Sequence, residues 1–466
     1  MRARSGLVVR SLVAKDIPMI FMAPKNRDPV PGVLIAHGFA GSKQLMLGYG
    51  YTFAQAGYAS LLWDFSGHGA NPAPLNMETL QPDLEVAYQA LTKQPEVDPD
   101  RLAILGHSMG SSAVMTASIE QRDRFAATIA VSPTRAEVTA DKPANLLLQA
   151  GSGEGQFVDS ARKLLQTAGG ENQNLAEGKG RSLIVVPKVE HITILFSDIS
   201  HQSALKWINK TFNQFNPSSY VDRRMGWYGL HLIGGLMAIA AIVPTFAPPA
   251  ARTSRTPWRR WGGLLAAPFA ATAGVNLISP GVALENLGGL KVGGALGIWF
   301  LFGGLVWLGV QNQWPLNIRQ KDQLPSPQAL SIGILVFILL WLAFGAMAQV
   351  VWLQWWLIPA RLKLWPILSL ACLPWFLASG LAQQGVSTGK RILWWLGQNI
   401  VLIGGLILTI SLLPQLGFIF LLLPIFPIIF GILSFVAAQV KDVWSYGVGG
   451  ALFFGWTLVA AFPMVG

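Results

Sequence analysis

The chain has 466 residues, 52% of them hydrophobic and 12% charged, a formal net charge of +11, and one cysteine, Cys372. Residues 1 to 224 hold 22 Lys+Arg and 20 Asp+Glu, whereas 225 to 466 hold 12 and 3, so most of the positive charge lies on short loops between apolar runs, as membrane topology charges do. That distribution excludes a nucleic-acid partner, since the charge-rich half has no basic patch with stacking aromatics, and the lone cysteine excludes an internal disulfide or a cysteine-based metal site.

The same shift predicts a soluble domain over residues 1–216, a linker over 217–226, and a transmembrane domain of about eight helices over 227–466. Met1 to Pro31 carries charges throughout and has no apolar core of signal-peptide length.

In chain order, Leu7 to Ala14 and Ile17 to Ala23 are β-rich runs that Lys15-Asp16 joins as a hairpin. Val33 to Ala36 is a fully apolar strand running into the glycine-punctuated His37-Gly38-Phe39-Ala40-Gly41 loop, as strands buried between helices do. A helix is expected over Ser42 to Gly57, a strand over Tyr58 to Asp64, a turn at Phe65-Ser66-Gly67-His68-Gly69, and an amphipathic helix over Met77 to Lys93. A strand ending at Leu105 then leads into Gly106-His107-Ser108-Met109-Gly110 and a helix through Glu120. Strands follow at Ala126 to Val131, Ala144 to Ala150 and Ser182 to Val186, and a closing helix covers Asp198 to Phe215. Alternating strands and helices imply a doubly wound, mostly parallel sheet whose ligands bind beyond the carboxyl ends of its strands.

The stretch around Ser108 fits G-x-S-x-G between a strand and a helix. A serine on that turn is held in a strained backbone conformation with its hydroxyl exposed, and the flanking glycines let strand and helix pass closely. Four further features fall at strand ends: the HGF loop at His37 to Phe39, the DFSGHG segment at Asp64 to Gly69, an acid at Glu154 three residues after Gly151, and His191 after the last strand. With these, residues 7 to 215 resemble an α/β-hydrolase domain, whose triad runs in the order serine, acid, histidine.

The resemblance implies a serine hydrolase. A hydroxyl is a poor nucleophile at neutral pH and needs a base, and the base needs a partner to orient it and stabilise its charged form. Ser108 is the expected nucleophile, His191 the base and Glu154 the orienting acid, with Asp159 an alternative acid that more simply starts the next helix. The backbone N–H groups of Phe39 and Met109 are the expected oxyanion donors, each worth roughly 3 kcal/mol. His37 and His107 are read as loop-shaping, Asp64 and His68 as structural, and His201 as a solvated helix face. No cofactor and no metal are expected. Only Ser132 to Pro143 stands where many members insert a lid. The expected substrate is a carboxylic ester or related acyl compound, small or lipid-like. Acyl transfer, peptide cleavage, or a silent fold serving a transport or signalling assembly are the alternatives.

Candidate spans of about 20 apolar residues lie near Trp227–Ala247, Gly262–Ser279, Val292–Val310, Ala329–Trp352, Trp365–Gln383, Ile392–Leu413, Gly417–Val440 and Tyr446–Val465. They predict a multi-pass protein of the plasma (inner) membrane with the lipid bilayer as partner. Trp258, Trp261, Trp314, Trp355, Trp356, Trp394, Trp395 and Trp444 are read as an interfacial belt, and Gly234-Gly235, Gly303-Gly304 and Gly404-Gly405 as close-packing sites. Eight spans place nine basic residues opposite the hydrolase and five on its side; seven spans make the counts equal, so the side of the hydrolase stays open.

Overall fold

The computed structural model describes residues 2–25, 28–246, 257–311, 325–440 and 442–466. Its contacts divide the chain into two compact units, one of Met1–Trp227 with Ala348–Gln354, the other of Tyr228–Met347 with Trp355–Gly466.

The first unit is built on an eight-stranded sheet. In chain order its elements are β1 (Leu7–Ala14), β2 (Ile17–Pro24), β3 (Val30–Ala36), α1 (Leu47–Gln55), β4 (Ala59–Trp63), α2 (Leu80–Thr92), β5 (Val97–His107), α3 (Met109–Glu120), β6 (Ala127–Val131), β7 (Leu146–Gly151), α4 (Gly155–Thr167), β8 (Arg181–Val186) and α5 (Asp198–Thr211). The spatial order is β1-β2-β4-β3-β5-β6-β7-β8. β1 and β2 pair antiparallel through a two-residue turn, where Lys15 and Asp16 take φ of 46° and 62°, the left-handed pair a tight hairpin needs. β2 meets β4 antiparallel, and every later pairing is parallel.

Alternation along the central strands feeds two cores. Val33 and Ile35 pack with Tyr49 and Phe53 of α1 and Leu205 and Ile208 of α5. Leu34 and Ala36 face the other way, against Leu84 and Ala87 of α2 and Val114 of α3. Each fully buried aliphatic side chain here contributes about 1.5–3 kcal/mol, which fixes the sheet that carries the loops above its carboxyl edge. Residues 348–354 belong to the same unit: Ser42 Oγ donates to Trp352 O at 2.8 Å, and Arg224 Nη1 donates to Val350 O at 2.8 Å.

Two readings of this half are corrected. The helix expected from Ser42 begins only at Leu47, because Lys43 is drawn to Asp64 by its backbone N–H, at 2.8 Å, and by its ammonium. His201 is no solvated residue: it is 1% exposed and Nε2 donates to Leu195 O at 2.9 Å.

The second unit is helical. It continues α6 (Arg224–Phe246) and holds α7 (Pro257–Ile278), α8 (Gly293–Val310), α9 (Pro327–Val351), the short α10 (Pro359–Leu362), α11 (Trp365–Gln383), α12 (Thr388–Leu412), α13 (Phe426–Val440) and α14 (Val443–Ala461). Among the described residues seven helices are long and apolar enough to cross a membrane, or eight if one bent pair is a single span. That pair covers the stretch expected as one span over Gly417–Val440; it bends by 60° between Pro414–Leu422 and α13, and Pro424 in the break has no N–H to continue the helical hydrogen bonds.

A β-carbon on Gly304 would lie 2.2 Å from Trp375 N, so that glycine is needed for α8 to meet α11. Gly404, by contrast, faces nothing within 4 Å. The tryptophan belt is corrected in part: Trp258 and Trp356 are exposed, but Trp355 and Trp394 are buried, Trp394 against Trp261 and Trp307. Five of the nine basic residues counted opposite the hydrolase, Arg252, Arg255, Arg319, Lys321 and Lys441, lie outside the described residues, as does Trp314.

Candidate active site

Ser108 stands between the last residue of β5 and the first of α3, with φ 52° and ψ −117°. This is the strained turn that the glycine spacing predicts. A β-carbon on Gly106 would fall 2.2 Å from Gly110 O, and one on Gly110 would fall 2.6 Å from His37 O. Neither position tolerates a side chain without moving backbone. The loop after β3 is equally close, since a β-carbon on Gly38 would lie 3.1 Å from Ser108 Cβ. Phe39 follows directly, and Met109 opens α3, where a backbone N–H has no acceptor within the helix. The two residues expected to supply oxyanion donors thus lie next in chain to Gly38, which closes on Ser108, and next in chain to Ser108 itself.

His191 lies in the turn after β8. Its Nε2 is 3.1 Å from Ser108 Oγ and its Nδ1 is 2.8 Å from Glu154 Oε2. A neutral imidazole satisfies both contacts in one tautomer: Nδ1–H donates to the carboxylate, and Nε2 accepts from the serine hydroxyl. Glu154, just before α4, has a side chain 4% exposed. Its other oxygen accepts from Ser132 Oγ at 2.7 Å and Gly151 N at 2.5 Å, so the buried carboxylate keeps its hydrogen bonds. Residues 83 and 37 positions apart in the chain, on three separate connections, thus converge on one chain of hydrogen bonds.

The remaining acids stand aside. Asp159 is exposed on α4 and pairs with Arg162 at 3.3 Å. Glu190 turns its carboxylate onto the N–H groups of Ile192 and Thr193, at 3.0 and 2.8 Å. Asp64 is fully buried and collects Lys43 N and Ala70 N, and a β-carbon on Gly69 would sit 2.3 Å from its carboxyl carbon. Its segment shapes the loop beside the site. His37 is neutral by geometry, since Phe65 N donates to Nε2 at 3.1 Å while Nδ1 donates to Gly38 O at 2.7 Å, and burial lowers its pKa.

Two contacts on His191 have no counterpart in the sequence motifs. His107 Nε2 donates to His191 O at 2.9 Å; burial first, and then the neighbouring His191, hold the His107 pKa well below the usual imidazole value. Phe157, on the first turn of α4, stacks on the His191 ring at 4.3 Å between centroids and 24° between planes. The sequence signal for Phe157 is slight, an aromatic three residues after the acid. For Ser132 it is slighter still, a serine after a strand.

A family model described as "Serine aminopeptidase, S33" matches residues 27–166. An uncharacterised protein of Mycobacterium tuberculosis is 31% identical over 91 residues, 20% of this chain and 32% of its own length. An uncharacterised 31.7 kDa protein from the traX-finO intergenic region of Escherichia coli is 24% identical over 116 residues, 24% of this chain and 40% of its own length. The matches therefore span less than half of these relatives. Among solved structures, Est1E from Butyrivibrio proteoclasticus aligns over 44% of this chain and 99% of its own, with 14% identity and a TM-score of 0.35. A bacterial membrane phospholipase A aligns over 46% and 89%, with 12% identity and a TM-score of 0.35. From sheet order, strand-end loops and the matched stretch, the first unit of this chain is an α/β-hydrolase domain, followed by a helical unit with several helices able to span a membrane.

Proposed function

We propose that the protein is a membrane-bound serine hydrolase that cleaves carboxylic esters through an acyl-enzyme. The observation that carries this reading is the unbroken series Ser108 Oγ, His191 Nε2, His191 Nδ1, Glu154 Oε2, at 3.1 and 2.8 Å across its two contacts. Ser108 Oγ attacks the ester carbonyl carbon as His191 Nε2 takes its proton. The resulting imidazolium is stabilised by Glu154 and then protonates the leaving alcohol. The negative charge gathered on the tetrahedral oxygen is met by the backbone N–H groups of Phe39 and Met109, and such donors are worth roughly 3 kcal/mol each. Water, activated by the same imidazole, then releases the acid and restores Ser108.

The connection from β6 to β7, residues 132–145, contains no helix, so the first unit has no inserted lid domain there. A chain that also carries membrane-spanning helices has acyl lipids at hand, and the substrate we favour is a lipid-like ester. The test is a series of p-nitrophenyl esters of rising acyl length with the full chain in detergent, beside Ser108→Ala. Rates that rise with chain length and vanish in the variant support the reading. Turnover of the shortest esters alone counts against a lipid-like substrate, and turnover that survives Ser108→Ala removes the mechanism.

Peptide cleavage is the second reading, favoured by the description of the family that matches residues 27–166. Aminoacyl amides hydrolysed faster than esters of the same acyl group would select it.

A further inference from the structure

The second unit holds a cavity that ester chemistry does not use. Its volume is about 360 Å³, and its walls include Gln383 at the end of α11, Arg391 on the first turn of α12, Ala437 near the end of α13, and Asp442 and Tyr446 at the start of α14. The cavity therefore lies where two helix hairpins turn, the 384–387 connection of one and the start of α14 in the other.

Most polar atoms in these walls are already engaged. Gln383, 2% exposed, donates from Nε2 to Ser379 Oγ at 3.0 Å and accepts at Oε1 from Ser434 Oγ at 3.1 Å. Two groups are not. Arg391 donates from Nη2 to Val386 O at 3.1 Å, but its Nη1 is buried with no partner. Asp442 commits Oδ2 to Ser445, accepting from N at 2.7 Å and from Oγ at 2.8 Å as the cap of α14, and among the described residues no partner is seen for its Oδ1. Arg391 and Asp442 line one cavity without pairing with each other. A guanidinium edge withdrawn from water without a counter-charge is unfavourable, and so is leaving a buried donor unmade. The complement is a molecule with an anionic oxygen at one end and an N–H cation at the other.

The walls draw on the ends of α11, α12 and α14, each long and apolar enough to span a bilayer, and the ends of spanning helices meet phospholipid headgroups. We propose that this cavity binds the headgroup of a phospholipid bearing a primary amine, with its phosphodiester oxygen accepting from Arg391 and its ammonium donating to Asp442. A quaternary amine has no N–H for Oδ1, and a headgroup without an amine brings no donor to that carboxylate. The inference is independent of the hydrolase reading.

The test is native mass spectrometry of the full chain in detergent, titrated in turn with phosphatidylethanolamine, phosphatidylcholine, phosphatidylglycerol and soluble phosphoethanolamine. The expected result is preferential retention of one phosphatidylethanolamine. Arg391→Gln should weaken it about tenfold or more, the order of a hydrogen bond to a charged group, and Arg391→Lys should retain most of it. Asp442→Asn, which preserves the helix cap, should erase the preference over phosphatidylcholine and so tests the pairing even if Arg391→Gln fails to fold. Equal retention of the three lipids, unchanged binding in Arg391→Gln, or an unchanged preference in Asp442→Asn overturns the proposal. Phosphoethanolamine bound as tightly as the lipid overturns the lipid as its source.

Discussion

Ser132 shows how much of a candidate site can escape its motifs. It sits at the end of β6 with φ 47°, fully buried, and donates at 2.7 Å to the oxygen of Glu154 that does not face His191. Holding that oxygen aims the other at the imidazole. Ser132→Ala should lower kcat/KM by about tenfold through kcat, the order of a hydrogen bond to a charged group, with KM little changed in steady-state assays. An unchanged kcat would make the bond merely structural. Ser108, His191 and Glu154 were legible because each needs a strand end, and their order along the chain is the order of the fold. Ser132 and Phe157 were not legible, because a serine ending a strand and an aromatic starting a helix are ordinary and their role exists only through distant neighbours.

At the scale of elements, α5 illustrates both success and failure. The helix was readable from its periodicity, but His201 was assigned to its solvated face, whereas the residue is buried against Tyr49 of α1 with ring centroids 4.5 Å apart. Burial lowers the His201 pKa to about 4, and burial also lowers those of His37 and His107. Because the folded pKa is depressed, the unfolded chain takes up a proton near pH 6.5 that the folded chain refuses until about pH 4. The stability that His201 contributes is fully present above pH 6.5 and is lost on acidification toward pH 4, at up to about 1.4 kcal/mol per pH unit. Melting temperatures of the full chain between those limits should fall accordingly, and His201→Gln should flatten the curve. A wild-type curve that is already flat contradicts the burial. In the second unit helices were legible from apolar length, but the break before α13 and the buried Trp355 and Trp394 were not. Hydropathy alone cannot tell a tryptophan that faces lipid from one that fills a gap between helices.

Across the whole molecule, the division in charge between residues 1–224 and 225–466 announced two kinds of environment. What it could not announce is that residues 348–354, far along the chain, complete the first unit. Arg224 makes that connection: its guanidinium pairs with Asp222, whose side chain is 0% exposed, and donates to Gln44 O at 3.2 Å and Val350 O at 2.8 Å. Arg224→Ala strands a buried carboxylate and should cost about 3–5 kcal/mol, read as a lowered thermal midpoint of the hydrolase unit in the full chain. A midpoint unchanged from wild type would show that the connection contributes nothing to stability.

The proposed chemistry requires that an imidazole 3.1 Å from Ser108 Oγ make that hydroxyl nucleophilic. The direct measurement is covalent labelling of the purified full chain with a fluorophosphonate, with the modified residue located by peptide mass spectrometry. One label on Ser108, absent from Ser108→Ala and strongly slowed in His191→Gln, is the predicted result. No label on the folded protein, or a label on another residue that persists in Ser108→Ala, would contradict the account.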